Sequence, residues 1–357
     1  MTRPQIGTNP PLAQLETETY VDFVEGLFGF IGKLEPALRE GAERALADFR
    51  AVTGRDPADV DEARAVLGRV PVVAARHRIR HAIQDMNHDA ILADLRSREA
   101  ELLAELDRYD RRGPGSVQYD LNWVPPAYAS REIHRMPGGY VTDPLAGYLY
   151  HYSTKSFFGG RNDHDEIHTR SVEKLPVPTD GHVRRILDLG CSAGQSATAL
   201  KQRFPDAEVW GIDVGAPMVR YAHKRAVDMG LEVHFKQGLA EATGFPDASF
   251  DIVHAFILFH ELPMEIAEQV VAEAARILRP GGLFLVTDFQ TRNVPRGDGR
   301  GTGILGEVLG RIDQLHNEEP YRWDFTHSDF EGLLGRYFSK VEVRTEGYGM
   351  PLRIATR

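Results

Sequence analysis

The sequence predicts an α/β fold, a mostly parallel sheet with helices on both faces, behind a mainly α-helical N-terminal domain. From residue 184 onward, short apolar runs alternate with segments of helical periodicity, which is typical of a parallel sheet with helical crossovers. Earlier in the chain, apolar residues recur at three- and four-residue spacings, which indicates amphipathic helices. We therefore expect a helical domain over residues 1–112, an aromatic connector and lid over 113–180, and an α/β domain over 181–357 with an insertion near 291–325.

The N-terminal helices carry recognisable start and stop signals. In "RDPADVDEARAVLG", Asp56 is a candidate N-cap, Pro57 fits the first turn and Gly68 can end the helix. A longer helix is predicted from Pro71 to about Leu106, because "DRRGPGS" follows as a helix breaker. This domain is predicted to cap the substrate site or to form a homodimer through its helices.

The connector is rich in proline, glycine and aromatic residues, and it continues into "GYLYHYSTKSFFGGRNDHDEIHTRSVEKL". A plain linker rarely carries so many aromatic residues, so we expect this segment to pack over the sheet. The sheet itself is predicted from five apolar runs, "RRILDLG", "AEVWGIDV", "LEVHFKQG", "FDIVHAFILF" and "GGLFLVTDF". "KVEVRTEGYGM" and "PLRIATR" are predicted to form a final strand pair.

Composition limits the classes of partner. The net charge of −10 gives no electrostatic footprint for nucleic acid, and we interpret the basic stretch "ARHRIRH" (75–81) as a solvated helix face. No apolar run reaches the roughly 18 residues of a membrane span, and the first 20 residues lack the pattern of a signal peptide. The single cysteine, Cys191, excludes an internal disulfide. We expect a cytoplasmic protein with no membrane or nucleic-acid partner.

A glycine loop, "DLGCSAG" (188–194), follows the first predicted strand. Ligands bind at the carboxyl ends of the strands in an open parallel sheet, and Gly190 and Gly194 allow the backbone to approach one closely. The spacing does not fit the Gly-x-Gly-x-x-Gly pattern of dinucleotide sites, which argues against a nicotinamide dehydrogenase. The acid Asp188 before the first glycine suits an ammonium group better than a pyrophosphate.

Four stretches in order across roughly residues 184–290 resemble the class I S-adenosylmethionine-dependent methyltransferases of the small-molecule type: "ILDLGCSAGQ", "VWGIDVGAPMVRYAHKRA", "FPDASFDIVHA" and "ARILRPGGLFLVTDF". The resemblance implies a Rossmann-like class I methyltransferase sheet and S-adenosyl-L-methionine as the cofactor. It also implies that Asp188 and the loop 190–194 hold the methionine end, that Asp213 accepts both ribose hydroxyls, and that Met218 lies near the adenine.

The sequence departs from the family after the third strand, where an aspartate often binds the adenine amine. Leu239 occupies that position here and offers only apolar contact. The residues predicted to bind the cofactor are Asp188, Gly190, Ser192, Gly194, Asp213, Val214, Met218, Gly238, Leu239 and Phe158.

The segment "FILFHELP" follows the fourth predicted strand and should face the cofactor. His260 is the first candidate for a catalytic base, because its reference pKa is near neutrality, and Glu261 is the second. Aromatic faces attract a sulfonium, so Tyr152 or Phe158 is expected over the reactive centre, with Tyr152 in a catalytic role. His164 and His168 in "HDEIH" could share a helix face, but we assign no metal site because the segment is not a His-Glu-x-x-His motif.

The predicted activity is methyl transfer to oxygen, nitrogen or an activated carbon of a small molecule, by a base-assisted in-line displacement. Two alternatives stay open. The chain could consume the cofactor by intramolecular cyclisation or elimination and release methylthioadenosine, or it could bind the cofactor without catalysis. The sequence does not identify the acceptor.

Overall fold

The computed structural model describes residues 8–9, 11–294, 303–345 and 350–357. Within these ranges, helices fill most of the chain before residue 110, and a single eight-stranded sheet with surrounding helices follows. The predicted α/β class is confirmed. None of the helices in the described ranges combines the length and apolar character that a membrane span requires.

The N-terminal region forms five helices: α1 (Leu15–Lys33), α2 (Glu35–Thr53), α3 (Val60–Leu67), α4 (Pro71–Ser97) and α5 (Glu99–Tyr109). The predicted end at Gly68 is confirmed, but the cap at Asp56 is wrong. Asp59 caps α3 by accepting a 2.8 Å hydrogen bond from the Glu62 amide, while Asp56 pairs with Arg50. The long helix predicted from Pro71 is interrupted at Arg98, next to a Ser97 hydroxyl that donates to the Asp94 carbonyl.

The sheet has the order β1-β4-β3-β2-β5-β6-β8-β7, and β8 runs antiparallel to both of its neighbours. All five predicted strands and the final strand pair are confirmed, although residues 346–349 of that pair lie outside the described ranges. An edge strand within the connector was not predicted, because three residues carry too little periodicity. The strands are β1 (Ser116–Gln118), β2 (Arg185–Leu189), β3 (Glu208–Asp213), β4 (Val233–Gln237), β5 (Phe250–Phe256), β6 (Leu278–Thr287), β7 (Lys340–Arg344) and β8 (Leu352–Thr356).

Helices cover both faces of the sheet. Alternation along β2 sends Ile186 into one core cluster and Leu187 into the other, so each face of the strand is buried. The helices are α6 (Ala146–Phe157), α7 (Glu166–Glu173), α8 (Gln195–Arg203), α9 (Ala216–Asp228), α10 (Met264–Ile277), α11 (Gly303–His316), α12 (Arg322–His327) and α13 (Phe330–Tyr337).

A third apolar cluster joins the N-terminal helices to the α/β region. Val21 of α1 and Ile91 of α4 pack with Tyr148 of α6 and Tyr221 of α9 in one buried group. Because this core is shared, the space between the helices and the sheet has walls that belong to both.

The predicted insertion near 291–325 contains α11 and part of α12, while its residues 295–302 lie outside the described ranges. Helix α11 packs on α3 and α4, and its Asp313 accepts from Arg76 at 2.8 Å and from Arg80 at 3.1 Å. His77 between them is buried. The interpretation of "ARHRIRH" as a solvated face is therefore wrong, because this segment binds the insertion.

Candidate active site

A cavity of about 1070 Å³ lies between the sheet and the N-terminal helices. Asp188, Asp213 and Phe256 line it from the carboxyl ends of β2, β3 and β5, while Phe28 of α1 and Gln84 of α4 line it from the other side. Small-molecule sites measure roughly 300–1,000 Å³. The cavity is at the top of that range, so it has room for a cofactor and an acceptor together.

The glycine loop between β2 and α8 turns through left-handed backbone conformations, with φ values of 65° at Gly190, 47° at Ser192 and 75° at Gly194. A Cβ atom would lie 2.7 Å from Leu258 at Gly190 and 2.8 Å from Ala222 at Gly194. Gly190 and Ser192 line the cavity, whereas Gly194 is outside its lining and packs against α9. The structure shows a packing role for Gly194, and its contact with the cofactor stays a prediction.

Asp188 is buried at the end of β2 and is held by its neighbour on β5. His254 Nδ1 lies 2.7 Å from Asp188 Oδ1, and the two residues are register partners in the sheet. Asp188 Oδ2 is buried and has no hydrogen-bond partner among the described residues. One oxygen is thus fixed, and the other is available for a ligand ammonium group.

Asp213 is fixed by backbone donors at the end of β3. Its Oδ2 accepts from the Ser192 amide and its Oδ1 from the Gly215 amide, both at 2.9 Å. Burial raises the pKa of Asp213 to about 6, although these backbone hydrogen bonds act to lower it. Each oxygen keeps a further lone pair, so the carboxylate can accept from a ribose diol.

The wall after β4 is largely apolar. Gly238 and Leu239 line the cavity as predicted, together with Val214. Two residues beyond Leu239, Glu241 also lines it and accepts a hydrogen bond from the hydroxyl of Tyr128. Glu241 is therefore an acceptor near the position where the family aspartate is missing, and the sequence pattern did not single it out.

Met218 does not line the cavity, contrary to its predicted place near the adenine. It is fully buried in the cluster shared with the N-terminal helices, and its Cγ lies where a side chain on Gly215 would need to be. Its position one turn into α9 explains this, because that face of the helix packs against Tyr221 and its neighbours.

The aromatic residues of α6 divide between two helix faces. Tyr150, Phe157 and Phe158 line the cavity, since spacings of seven and eight residues return to the same face. Tyr148 and Tyr152 are four residues apart on the opposite face and are buried in the shared core. Phe158 therefore lies at the cavity as predicted, whereas Tyr152, the predicted catalytic residue, lies in the shared core, and Tyr150 lines the cavity from the same helix.

His260 and Glu261 form a short 3-10 turn after β5 (Phe259–Glu261), and both line the cavity. His260 Nδ1 lies 2.8 Å from Asp288 at the end of β6, and its Nε2 lies 2.9 Å from Glu261 Oε1. Burial acts to lower the pKa of His260, but the two carboxylates outweigh it and raise the pKa to about 10. The raised pKa of His260 disfavours the neutral imidazole that a general base requires.

Two residues that the sequence did not indicate complete the group. His134 Nε2 lies 3.0 Å from Glu261 Oε1 and 3.2 Å from Glu319 Oε1. His134 belongs to the aperiodic connector and Glu319 to the polar segment after α11, so neither carries a local signal. Asp288 did carry a local sequence signal, because it is an acid at the end of a predicted strand, at the carboxyl edge of the sheet. We call His134, His260, Glu261 and Glu319 the His–Glu cluster.

The other histidine pair considered from the sequence does not form a shared face. Helix α7 begins at Glu166, so His164 precedes it and is exposed, while His168 is buried and lines the cavity.

Comparison with known proteins connects this geometry to a family. Residues 186–282 match the family described as a methyltransferase domain. A demethylmenaquinone methyltransferase of Thermus thermophilus is 42% identical over 33% of this chain and 50% of its own length. A fatty-acid O-methyltransferase of Mycolicibacterium smegmatis is 33% identical over 37% and 47%. The 27-O-demethylrifamycin SV methyltransferase of Amycolatopsis mediterranei is 36% identical over 32% and 41%.

Among solved structures, the YcgJ protein of Bacillus subtilis is 25% identical, with a TM-score of 0.40 over 50% of this chain and 70% of that one. The chain spans about half the length of the curated relatives it matches. The resemblance to class I S-adenosylmethionine-dependent methyltransferases is confirmed over the matched residues, and the match supports S-adenosyl-L-methionine as the cofactor.

Proposed function

We propose that this chain, whose residues 186–282 match the methyltransferase domain family, transfers the methyl group of S-adenosylmethionine to a small-molecule acceptor. The observation that carries the proposal is the pair of carboxylates on adjacent strands. Asp188 offers an unpaired oxygen and Asp213 a fixed carboxylate, and both line one cavity large enough for two molecules.

We propose one direction for the cofactor in this cavity. Its ammonium group would bind Asp188, its ribose hydroxyls Asp213, and its adenine the apolar wall of Val214 and Leu239, with Glu241 as an acceptor for the amine. Burial raises the pKa of Tyr150 to about 12, a hydrogen bond with Ser192 opposes this rise, and the nearby carboxylates of Asp213 and Glu261 add to it. The sulfonium would thus lie between the ribose site and the His–Glu cluster, beside a protonated Tyr150.

Methyl transfer is an in-line displacement. The acceptor atom attacks the methyl carbon, the bond from that carbon to sulfur breaks with its electron pair on sulfur, and the acceptor loses its proton. The protein contributes position and exclusion of water. We assign His260 and Glu261 to the acceptor side, where they orient the acceptor.

The N-terminal helices would select the acceptor. Phe28 of α1 and Gln84, Asn87 and His88 of α4 line the cavity opposite the sheet. Three similar proteins are named for small acceptors, namely demethylmenaquinone, a fatty acid and demethylrifamycin SV. We infer an acceptor of comparable kind for this chain.

A homodimer is the assembly we propose, through the exposed apolar side chains of α1. Tyr20, Phe23 and Phe30 recur at helical spacing and are 40%, 57% and 45% exposed. Sedimentation of the parent and of the Phe23→Ser variant tests this dimer. We expect the parent to be dimeric and the variant to be monomeric. A monomeric parent would contradict the proposed dimer.

Mass spectrometry of the nucleoside product tests the proposed activity. S-adenosylmethionine is added to the purified chain with and without a small-molecule cell extract. S-adenosylhomocysteine formed only with extract is the expected result. Methylthioadenosine formed without extract, above a no-enzyme control, would show that the cofactor is itself the substrate. No turnover in either condition would favour a binding protein.

A further inference from the structure

We propose that the His–Glu cluster binds a divalent transition-metal ion and that this ion holds an oxygen of the acceptor. The metal site depends only on the four side chains, whereas the role in acceptor binding rests on the proposed methyltransferase function. The expected acceptor is a small molecule whose hydroxyl lies next to a second oxygen, so that both can chelate the ion.

The four side chains converge on one point at the cavity wall. Each offers one ligand atom, and these atoms all lie within 4.8 Å of one another. Bonds of roughly 2.0–2.2 Å to a common ion place its ligand atoms about 3.0–4.4 Å apart. Of the observed distances between cluster atoms, 3.0 and 3.2 Å fall at the lower edge of that range and 2.9 Å lies just below it. Small side-chain movements would complete the site.

The orientation of Glu261 favours an ion over a simple hydrogen-bonded network. Both of its carboxylate oxygens are buried and lack a hydrogen-bond partner within the part of the chain that the structure describes. His260 and His134 nevertheless lie about 3 Å from Oε1, so their nitrogens are near but not aligned as donors. Buried polar atoms are rarely left unsatisfied. Short distances without donor–acceptor alignment are expected when ligand atoms face a common metal centre rather than each other.

Neighbouring residues orient the cluster side chains in the way that is typical of metal sites. Asp288 binds His260 at Nδ1, at 2.8 Å, and the Tyr140 hydroxyl lies 2.5 Å from His134 Nδ1. Both rings therefore present Nε2 to the cluster. Carboxylate and hydroxyl partners of this kind orient metal-bound imidazoles in many proteins. Glu319 is positioned in the same way, because it accepts from Asn317 and Arg322 at 2.7 Å each.

His134 is held in the cluster against a backbone cost. Its φ of 55° is left-handed, a conformation that residues other than glycine adopt rarely and that persists where the surroundings enforce it. Gln84 of α4 fixes it by donating to its carbonyl oxygen at 2.6 Å. The N-terminal helices therefore help to build the cluster.

The donor set indicates the class of ion. Two imidazoles and two carboxylates suit zinc, iron, manganese or cobalt, whereas calcium and magnesium prefer oxygen alone and copper(I) prefers thiolates. Four protein ligands leave two positions in an octahedral complex, enough for a chelating acceptor. A bound hydroxyl would lose its proton to solvent more readily and then attack the methyl carbon, with the carbon–sulfur bond breaking as above.

Cobalt binding by the full chain tests the site without using activity. The protein is dialysed against a chelator, and Co²⁺ is then titrated without S-adenosylmethionine while visible absorption is recorded. A saturable spectrum at a single equivalent is expected. Glu261→Gln and His134→Ala should each weaken binding by about tenfold or more, the scale on which metal-site changes act. The exposed His164→Ala is the control and should bind as the parent does.

No saturable Co²⁺, Zn²⁺ or Mn²⁺ binding by the parent would overturn the site and leave an ion-pair network. Equal binding by the parent and both folded variants would overturn it as well. If the variants fail a thermal-unfolding check, pulsed electron paramagnetic resonance of Cu²⁺ substituted into the parent replaces them. Imidazole nitrogens coupled to the ion are expected, and their absence contradicts the ligand set.

The acceptor class is tested with catechol, a chelating probe, and anisole, its non-chelating counterpart. Catechol should shift the Co²⁺ spectrum and anisole should not; equal effects would overturn the acceptor role. Failure of the methyltransferase proposal can be distinguished from failure of the metal site. The Asp213→Ala variant should lose S-adenosylmethionine binding yet keep the Co²⁺ spectrum.

Discussion

The two ends of the cavity are built in different ways. At the proposed cofactor end, Asp188 and Asp213 lie at the carboxyl ends of adjacent strands, and their partners are a histidine of the next strand and backbone amides. At the proposed acceptor end, the His–Glu cluster draws its side chains from the connector, the turn after β5 and the segment after α11. The first end is a property of the sheet, whereas the second depends on elements added around it. Binding of the cofactor and turnover should therefore separate under mutation.

The largest effect is expected at the ribose carboxylate. Asp213→Ala removes two charge-assisted hydrogen bonds of about 1.5–3 kcal/mol each, so affinity for S-adenosylmethionine should fall by roughly 100-fold or more. Isothermal calorimetry measures this, with the exposed Asp206→Ala as the matched control. Undiminished affinity in Asp213→Ala would remove the ribose assignment.

The next effect separates the two ends. His260→Ala should lower turnover by about 100-fold, the scale of a lost proton-handling or orienting group, while cofactor affinity changes little. His164→Ala serves as the control. Turnover equal to that of the parent would show that the acceptor end is elsewhere, and an equal loss of cofactor affinity would show that the two ends are not independent.

Cofactor affinity should also depend on pH. Burial raises the pKa of Asp213 to about 6, with Asp188 adding to the increase and the amides of Gly215 and Ser192 opposing it. The ionised form accepts from the ribose, so affinity is present above pH 6 and is lost as the pH falls through that value, by about tenfold for each further unit. Calorimetry between pH 4.5 and 7.5 checks this. An equally steep profile in Asp213→Asn would assign the effect to another group.

The smallest effect compares the two faces of α6. Tyr150→Phe removes a hydroxyl at the cavity, so turnover should fall several-fold, on the scale of about 1 kcal/mol for a hydrogen bond. Tyr152→Phe changes only the shared core and should leave turnover unaltered. The reverse order in steady-state assays would restore the original prediction for Tyr152.

The sequence was informative where function resides in contiguous segments of regular elements. Asp188 and Asp213 lie at the carboxyl ends of apolar strands and His260 follows one, and the carboxyl edge of a parallel sheet brings such positions together. The sequence places Tyr150 and Tyr152 on α6 without fixing which face is buried, and the structure puts Tyr150 at the cavity and Tyr152 in the shared core. The same uncertainty applied to Met218 on α9, which the structure places in that core.

The rest of the site depends on tertiary packing. His134 reaches the cluster through a left-handed residue in an aperiodic connector, and Glu319 through the docking of α11 on α3 and α4. No local pattern encodes either position. Two further features were not predicted for similar reasons. The long helix is interrupted at Arg98, where the Ser97 side chain competes for a backbone carbonyl, and the three-residue β1 forms only by pairing with β4 at the edge of the sheet.

A crystal structure of the full chain with S-adenosylhomocysteine would locate both ends of the cavity at once. We expect hydrogen bonds from both ribose hydroxyls to Asp213, the ammonium group at Asp188 Oδ2, and the sulfur facing the His–Glu cluster past Tyr150. A nucleoside bound outside this cavity, or a sulfur directed away from the cluster, would contradict this arrangement.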